Sequence, residues 1–318
     1  MTGPRDSWLL TPGPLTTSAT VKGAMARDWG SRDGDFIAIN RRVRERLVAL
    51  VSGAGTHVCA PMQGSGTFAV EAMIGTLVPK SGKLLVLING AYGKRAARIC
   101  DYAGRAHADI EWAEDQAIDP ARVEAALKND PGITHVFAVH CETTSGVLNP
   151  VEEVATVVAA AGRRLLIDSM SAFGALPLDA GTVAFDAVAA SSNKCIEGVP
   201  GVGFVICRRD ALEAAKGNAH SLSLDLHDQW TAMEKTAQWR FTPPIQVIAA
   251  FEQALREHEA EGGVAGRGAR YSGNCRILVE GMRALGFETL LPDALQAPII
   301  VTFRMPADPR FEFVVFYD

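Results

Sequence analysis

From residue 55 onward the chain repeats one pattern several times: a short, nearly continuous apolar run, a turn rich in Gly, Ser, Asn or Asp, then a segment with helical apolar spacing. Strands covered on both faces read as unbroken apolar runs, and a parallel neighbour needs a helical crossover. This rhythm therefore specifies an α/β domain with a mostly parallel sheet. The clearest strands are Leu84–Ile88, Val136–His140, Leu165–Asp168 and Ala187–Ala190. Helices are expected over Phe68–Leu77, Arg95–Ala103, Pro120–Leu127 and Val151–Ala161, the third with Pro in its first turn and the last with Glu152 and Glu153 there. Gly201–Cys207 follows the preceding strand too closely for a crossover, so it should run antiparallel.

Beyond about residue 210 the pattern shifts to longer helical stretches, Ile245–Glu261 and Arg270–Leu285, with natural stops at Gly262–Gly263 and Gly286. A strand-like Pro298–Phe303 follows, and the final RFEFVVFYD reads as the start of an amphipathic element. The expectation is that the native protein continues beyond Asp318. A length of 318 residues with 48% hydrophobic and 21% charged residues suggests two domains and a sizeable core. Thirty-one scattered Lys and Arg against 36 Asp and Glu speak against a nucleic-acid partner. The six cysteines lie far apart without a C-x-x-C pair, which argues against a metal centre or a disulfide framework and for a reducing, cytoplasmic setting. No stretch approaches about 18 uninterrupted apolar residues, so no membrane span is expected.

Chemistry is expected at the C-terminal ends of the strands, where open α/β sheets hold ligands. Gln63-Gly64-Ser65-Gly66-Thr67 precedes a helix; small residues let backbone approach an anion, and hydroxyls and first-turn N–H groups donate to it. Alone, such a turn is more often just a helix N-cap. Asp168 ends an apolar strand and must find a partner there, or serve as a turn residue. Lys194, in Ser191-Ser192-Asn193-Lys194, follows the next strand and can reach a cleft where partial burial lowers its pKa; alone, a lysine is usually a solvated charge.

Together an anion cradle, a carboxylate and an amine on neighbouring strand ends are the three fixed points for pyridoxal 5′-phosphate: phosphate anchor, ring-nitrogen partner and the lysine that joins the aldehyde. Tyr92, in the turn NGAYG, can lay its ring on the cofactor face or simply pack. Thr143 can donate to the phenolic oxygen or bond its own backbone. His140 is expected to be a packing histidine, and Cys195 a buried thiol rather than a nucleophile. Residues 239–244 (WRFTPP) read as an irregular loop or a contact surface.

The motifs LLTPGPLT (9–16), QGSGTFAVE (63–71), NGAYG (89–93), ETTSGVLNP (142–150), DSMSAFG (168–174), SSNKCIEGVPG (191–201), SLSLDL (221–226) and WRFTPP (239–244) resemble the 2-aminoethylphosphonate–pyruvate transaminases, class V members of the fold type I pyridoxal-phosphate enzymes. The resemblance runs through nearly the whole chain and implies a mostly parallel sheet flanked by helices with a smaller, here incomplete, C-terminal α/β domain. It divides the chain into an N-terminal substrate-side segment (1–20), a cofactor domain (21–245) and a partial small domain (246–318).

Carried over, the resemblance makes Lys194 the catalytic lysine and Asp168 the partner of the pyridine nitrogen. Ser65, Gly66 and Thr67 would hold the phosphate, Tyr92 would stack on the ring, and Thr143 would contact its phenolic oxygen. Thr242 would reach the phosphate of the neighbouring subunit in a homodimer, and Gly13 would belong to the substrate entrance. The substrates implied are 2-aminoethylphosphonate and pyruvate, with no metal. The family's small domain also supplies a substrate-binding arginine for which this chain shows no counterpart, so reduced activity is one expectation. The rival readings are an alanine- or serine–glyoxylate aminotransferase, a shortened non-catalytic chain that binds the cofactor, and a dinucleotide enzyme. The last is disfavoured because no G-x-G-x-x-G follows the first strand.

Overall fold

The computed structural model describes residues 8–317, so the first seven residues of the segment 1–20, and Asp318, lie outside the described residues. In chain order come α1 (Ala19–Gly23), α2 (Gly34–Ala49), β1 (His57–Gln63), α3 (Gly66–Leu77), β2 (Lys83–Ile88), α4 (Ala91–Ala103) and β3 (Ala106–Glu111). Then follow α5 (Pro120–Asn129), β4 (Ile133–Val139), α6 (Val151–Ala160), β5 (Arg164–Asp168), β6 (Ala187–Ser191) and β7 (Val202–Arg208). The remaining helices are α7 (Arg209–Ala214), α8 (Leu226–Thr236), α9 (Ile245–Ala260), α10 (Gly263–Ala284) and α11 (Phe313–Tyr317).

The strands form one sheet in the order β1-β7-β6-β5-β4-β2-β3. Neighbours from β3 to β6 are parallel, whereas β7 is antiparallel to both β6 and β1, as the short connection into it requires. One edge of the sheet therefore collects the C-terminal ends of six strands and the start of β7. Side chains alternate between two cores: Leu85 and Leu87 of β2 face one, Leu84, Val86 and Ile88 the other. Helices α2, α5, α6 and α9 cover the first face, and α3, α4, α7 and α8 the second. Two buried faces are why these strands read as continuous apolar runs.

The expected strands and crossover helices are present within a few residues of their predicted bounds. Gly262 and Gly263 adopt φ of 102° and 65° and end α9, and α10 starts at once, earlier than Arg270. Gly268 makes that early start compatible with packing, because a Cβ there would run into the Ala175 carbonyl.

Pro298–Phe303 is not a strand. This segment finds only the single bridge Thr289↔Phe303, and the nearby Val147↔Gln296 is another isolated bridge. Without a neighbour to complete a ladder its apolar residues pack as irregular chain. The terminal amphipathic element appears as the short α11, where Phe316 joins a ring cluster with Phe287 and Phe311.

His135 of β4 is buried with Nδ1 2.9 Å from Thr134 Oγ1. Burial, helped by the Arg164 guanidinium, pushes its pKa down to about 4 from 6.5. Below pH 6.5 the unfolded chain takes a proton that the folded chain refuses, so stability falls as pH drops towards 4 and levels off there. Between pH 7 and pH 5 the wild type should lose about 2 kcal/mol more than His135→Gln, read as urea midpoints. Equal losses in the two proteins would refute the assignment.

Candidate active site

At the edge described above a cleft of about 460 Å³ opens between the ends of β1, β5 and β6 and the start of β7. Its lining includes Gly64, Ser65, Gly66, Thr67, Tyr92, Arg95, Asp168, Met170, Ser191, Asn193, Lys194 and Gly201. The sheet order brings these positions together although they span 138 residues of sequence, from 64 to 201 counted inclusively.

Ser65 occupies the N-cap position of α3 but makes no side-chain capping bond. Its hydroxyl and the N–H groups of Gly66 and Thr67 are thus left for an anion, at the end of a helix that favours negative charge, while the Phe68 N–H is taken by the Ser65 carbonyl. Gly64, at φ 123°, takes a turn that a side chain would strain, and its Cβ would strike the Phe68 ring. A Cβ on Gly66 would press on the Met170 thioether, so glycine lets this wall of the cradle stay open without moving Met170.

Asp168 is 4% exposed, and its Oδ1 accepts one hydrogen bond from the Met170 N–H at 2.9 Å. Burial pushes its pKa up to about 6; the buried Glu142 carboxyl adds to the rise, while Arg95 and Lys194 oppose it. Such a carboxyl is under-partnered and suits a cationic group entering the cleft. Lys194 is half-buried, and burial lowers its pKa, which enlarges the neutral, nucleophilic fraction of the amine. Its Nζ donates to the Pro12 carbonyl at 2.9 Å.

That bond ties the N-terminal loop to the lysine. Gly13 has φ 124°, and a Cβ there would lie 2.5 Å from Lys194 Cδ and 2.9 Å from Nζ. Gly13→Ala is therefore expected to strain the loop, displace the amine and lower kcat/KM by about tenfold or more. Unchanged kcat/KM in steady-state assays would show that the loop can yield without disturbing the lysine.

Three predicted residues are not part of the cleft lining: Gly13, which borders Lys194 as described above, and Thr143 and Thr242. Thr143 Oγ1 is 2.7 Å from Ser171 Oγ in the loop after Asp168, and that bond engages its hydroxyl. Thr242 is exposed on the loop between α8 and α9, beside a separate cavity of about 600 Å³ that also includes Gly64, Phe68 and Phe241. Trp239 anchors this loop by donating to Asn40 Oδ1 at 3.0 Å.

His140 is a buried packing residue, 3.1 Å from Ser169 Oγ, its pKa pushed down to about 4 by burial. The Cys195 thiol bonds the Ser171 carbonyl and burial raises its pKa to about 12, so it is no nucleophile.

Sequence reading missed two residues. Arg95 lines the cleft with its guanidinium over Tyr92, and nothing marked it out among the cations of α4. Arg267 is 2% exposed and donates to the Cys195 carbonyl and to Glu261, pinning from behind the turn that carries Lys194. Only a fold that sets α10 against that turn reveals it.

The family model for class-V aminotransferases matches residues 17–307. This chain belongs to the class-V aminotransferase family. The aminotransferase is 59% identical, over 97% of its length and 82% of the relative's, to a protein of Burkholderia lata named 2-aminoethylphosphonate–pyruvate transaminase 2. A Rhizobium meliloti protein named 2-aminoethylphosphonate–pyruvate transaminase is 57% identical, over 98% of this chain and 82% of its own. Among solved structures, the alanine–glyoxylate aminotransferase of Nostoc sp. superposes with a TM-score of 0.89 at 23% identity, covering 97% of this chain and 82% of that one. These likenesses give the aminotransferase the fold type I architecture.

Pyridoxal 5′-phosphate is the cofactor of this family, and the cleft fits it. The uncapped helix start and the glycine wall suit a phosphate, the buried Asp168 suits a protonated ring nitrogen, and the half-buried Lys194 suits an aldehyde.

Proposed function

We propose that this aminotransferase moves the amino group of 2-aminoethylphosphonate to pyruvate, giving phosphonoacetaldehyde and L-alanine. The observation that carries the reading is 59% identity over nearly the whole chain to a protein named for that reaction. Likeness to the alanine–glyoxylate enzyme stops at the fold, at 23% identity.

When bound, the cofactor supplies an electron sink and carries the amine between the two substrates. Ser65, Gly66 and Thr67 hold its phosphate at the start of α3. Asp168, as a carboxylate, keeps a proton on the ring nitrogen. Lys194, whose Nζ now donates to the Pro12 carbonyl, would hold the cofactor's aldehyde carbon, and its amine would serve as the base for the proton on the amine-bearing carbon of the substrate. Tyr92 bounds the ring face, and Thr143 is the residue for the phenolic oxygen once its bond to Ser171 opens.

The test is the absorbance spectrum of the loaded protein before and after 2-aminoethylphosphonate is added without pyruvate. Loss of the visible band supports the reading. A band that ignores the phosphonate but responds to alanine or serine transfers the assignment to the glyoxylate group, and a band that ignores every amine removes the catalytic reading.

The reading extends to a cytoplasmic homodimer divided at residues 20 and 245, with Gly13 at the substrate entrance and Thr242 reaching the partner's phosphate. Support comes from the exposed Phe241 and Thr242 beside a cavity of about 600 Å³. No helix among the described residues is long and apolar enough to cross a membrane. Light scattering should return twice the chain mass at micromolar concentration, and Phe241→Asp should shift it towards the monomer. A monomeric wild type would remove Thr242 from the site.

A further inference from the structure

Arg95 joins two parts of the cleft that the mechanism treats separately. Its Cζ lies 4.5 Å from the centroid of the Tyr92 ring, and its Nη1 donates to Thr67 Oγ1 at 3.2 Å. Among the described residues it makes no ion pair with a carboxylate, although its charge acts on the buried Asp168 in the same cleft. A guanidinium has donors only. The Thr67 oxygen must therefore accept from it, which leaves the hydroxyl hydrogen available to the cradle that Thr67 lines with Ser65 and Gly66.

We infer that Arg95 is a positioning residue for the cofactor's phosphate, acting through Thr67: it fixes the threonine hydroxyl as a donor and polarises it. A hydroxyl that accepts from a cation is a stronger donor to an anion, and one rotor state is chosen before the ligand arrives. The Tyr92 ring holds the guanidinium in place for this task, by a cation–π contact. The cationic head also adds favourable potential for a dianion beside the start of α3. None of this depends on substrate, so the effect belongs to cofactor retention. The inference rests on the pyridoxal-phosphate reading of the cleft.

The test compares binding of pyridoxal phosphate with binding of pyridoxal, which lacks the phosphate, to apoprotein. The proteins are wild type, Arg95→Met, Thr67→Val and the double variant, read by equilibrium absorbance titration. Arg95→Met should weaken pyridoxal phosphate by about 10- to 100-fold and pyridoxal by less than about threefold. In the Thr67→Val background the same change should cost less than about threefold, because the shared path is already cut.

Equal losses for both ligands, or additive losses in the double variant, would overturn the inference. Should Arg95→Met fail to fold, Arg95→Gln keeps an N–H donor but removes the charge that polarises the Thr67 hydroxyl. Its preference for the phosphorylated ligand should drop by about fivefold or more, and an unchanged preference overturns the inference. A wild type that binds no pyridoxal phosphate would instead overturn the cofactor reading itself, so the two failures are distinguishable.

Discussion

Lys194→Ala is expected to lower the transamination rate by more than about 10⁴-fold while leaving the protein folded. The proposed role gives the lysine two tasks that no neighbour can take over: to bind the cofactor carbon and to carry a proton between two carbons. Among the titratable side chains lining the cleft, Asp168 is the carboxyl proposed for the ring nitrogen, Arg95 cannot give up its proton, and Tyr92 is proposed to bound the ring face. The fold should tolerate the change because burial already disfavours the charged amine, whose hydrogen bond among the described residues is to the Pro12 carbonyl at 2.9 Å. Removing it costs that bond at the cleft mouth and no core packing. Single-turnover conversion with 2-aminoethylphosphonate, followed by mass spectrometry of the product, checks the rate. Retained turnover at even a hundredth of the wild-type rate would displace Lys194 from its role.

Asp168→Asn should separate stability from activity in opposite directions. The carboxyl is 4% exposed, and burial raises its pKa from 3.8 to about 6. A carboxyl whose pKa is higher folded than unfolded is destabilising wherever it must be charged. That penalty is absent below about pH 3.8, grows as pH rises, and is complete above about pH 6. A shift of about two units sets an upper bound of about 3 kcal/mol, so the apoprotein variant should be more stable than wild type at pH 7.5, with the difference shrinking towards pH 4. Asn keeps an oxygen to accept the Met170 N–H, so the local turn survives.

Activity should fall by about 10²- to 10³-fold, since a neutral amide cannot hold the proton on the ring nitrogen. For the wild type, cofactor association should weaken as pH drops through about 6 and the carboxylate is lost, and the variant should show no such step. Urea unfolding at three pH values together with steady-state kinetics tests both halves. A variant that is destabilised at pH 7.5 would mean that Asp168 is already well paired in the apoprotein.

Much of the sheet domain was legible because its strands are buried on both faces. Val136–Val139 and Leu165–Ile167 admit no polar residue, and the turns after them must carry whatever polar groups the site needs. The elements harder to read were those under weaker constraint. β3 (AHADIE) pairs with β2 alone and is half-exposed, so its composition is mixed. α2 draws its apolar face from a charged stretch whose arginines turn towards Glu252 and Glu234 on α9 and α8. Pro298–Phe303 shows the converse error, an apolar run with strand composition and no ladder to join.

The sequence by itself determined the chemistry: which strand ends carry an anion cradle, a carboxylate and an amine, since only those side chains supply those groups. The tertiary structure decided which of them meet. It placed Ser65, Asp168 and Lys194 around one cleft, tied the Thr143 hydroxyl to Ser171, left Thr242 outside, and added Arg95 and Arg267. The physical reason is that residue type is local, whereas proximity and burial depend on strand order and on what packs behind each turn. Asp168 has a pKa near 6 and Lys194 a lowered one because of the sheet and helices around them, and no spacing along the chain encodes that environment.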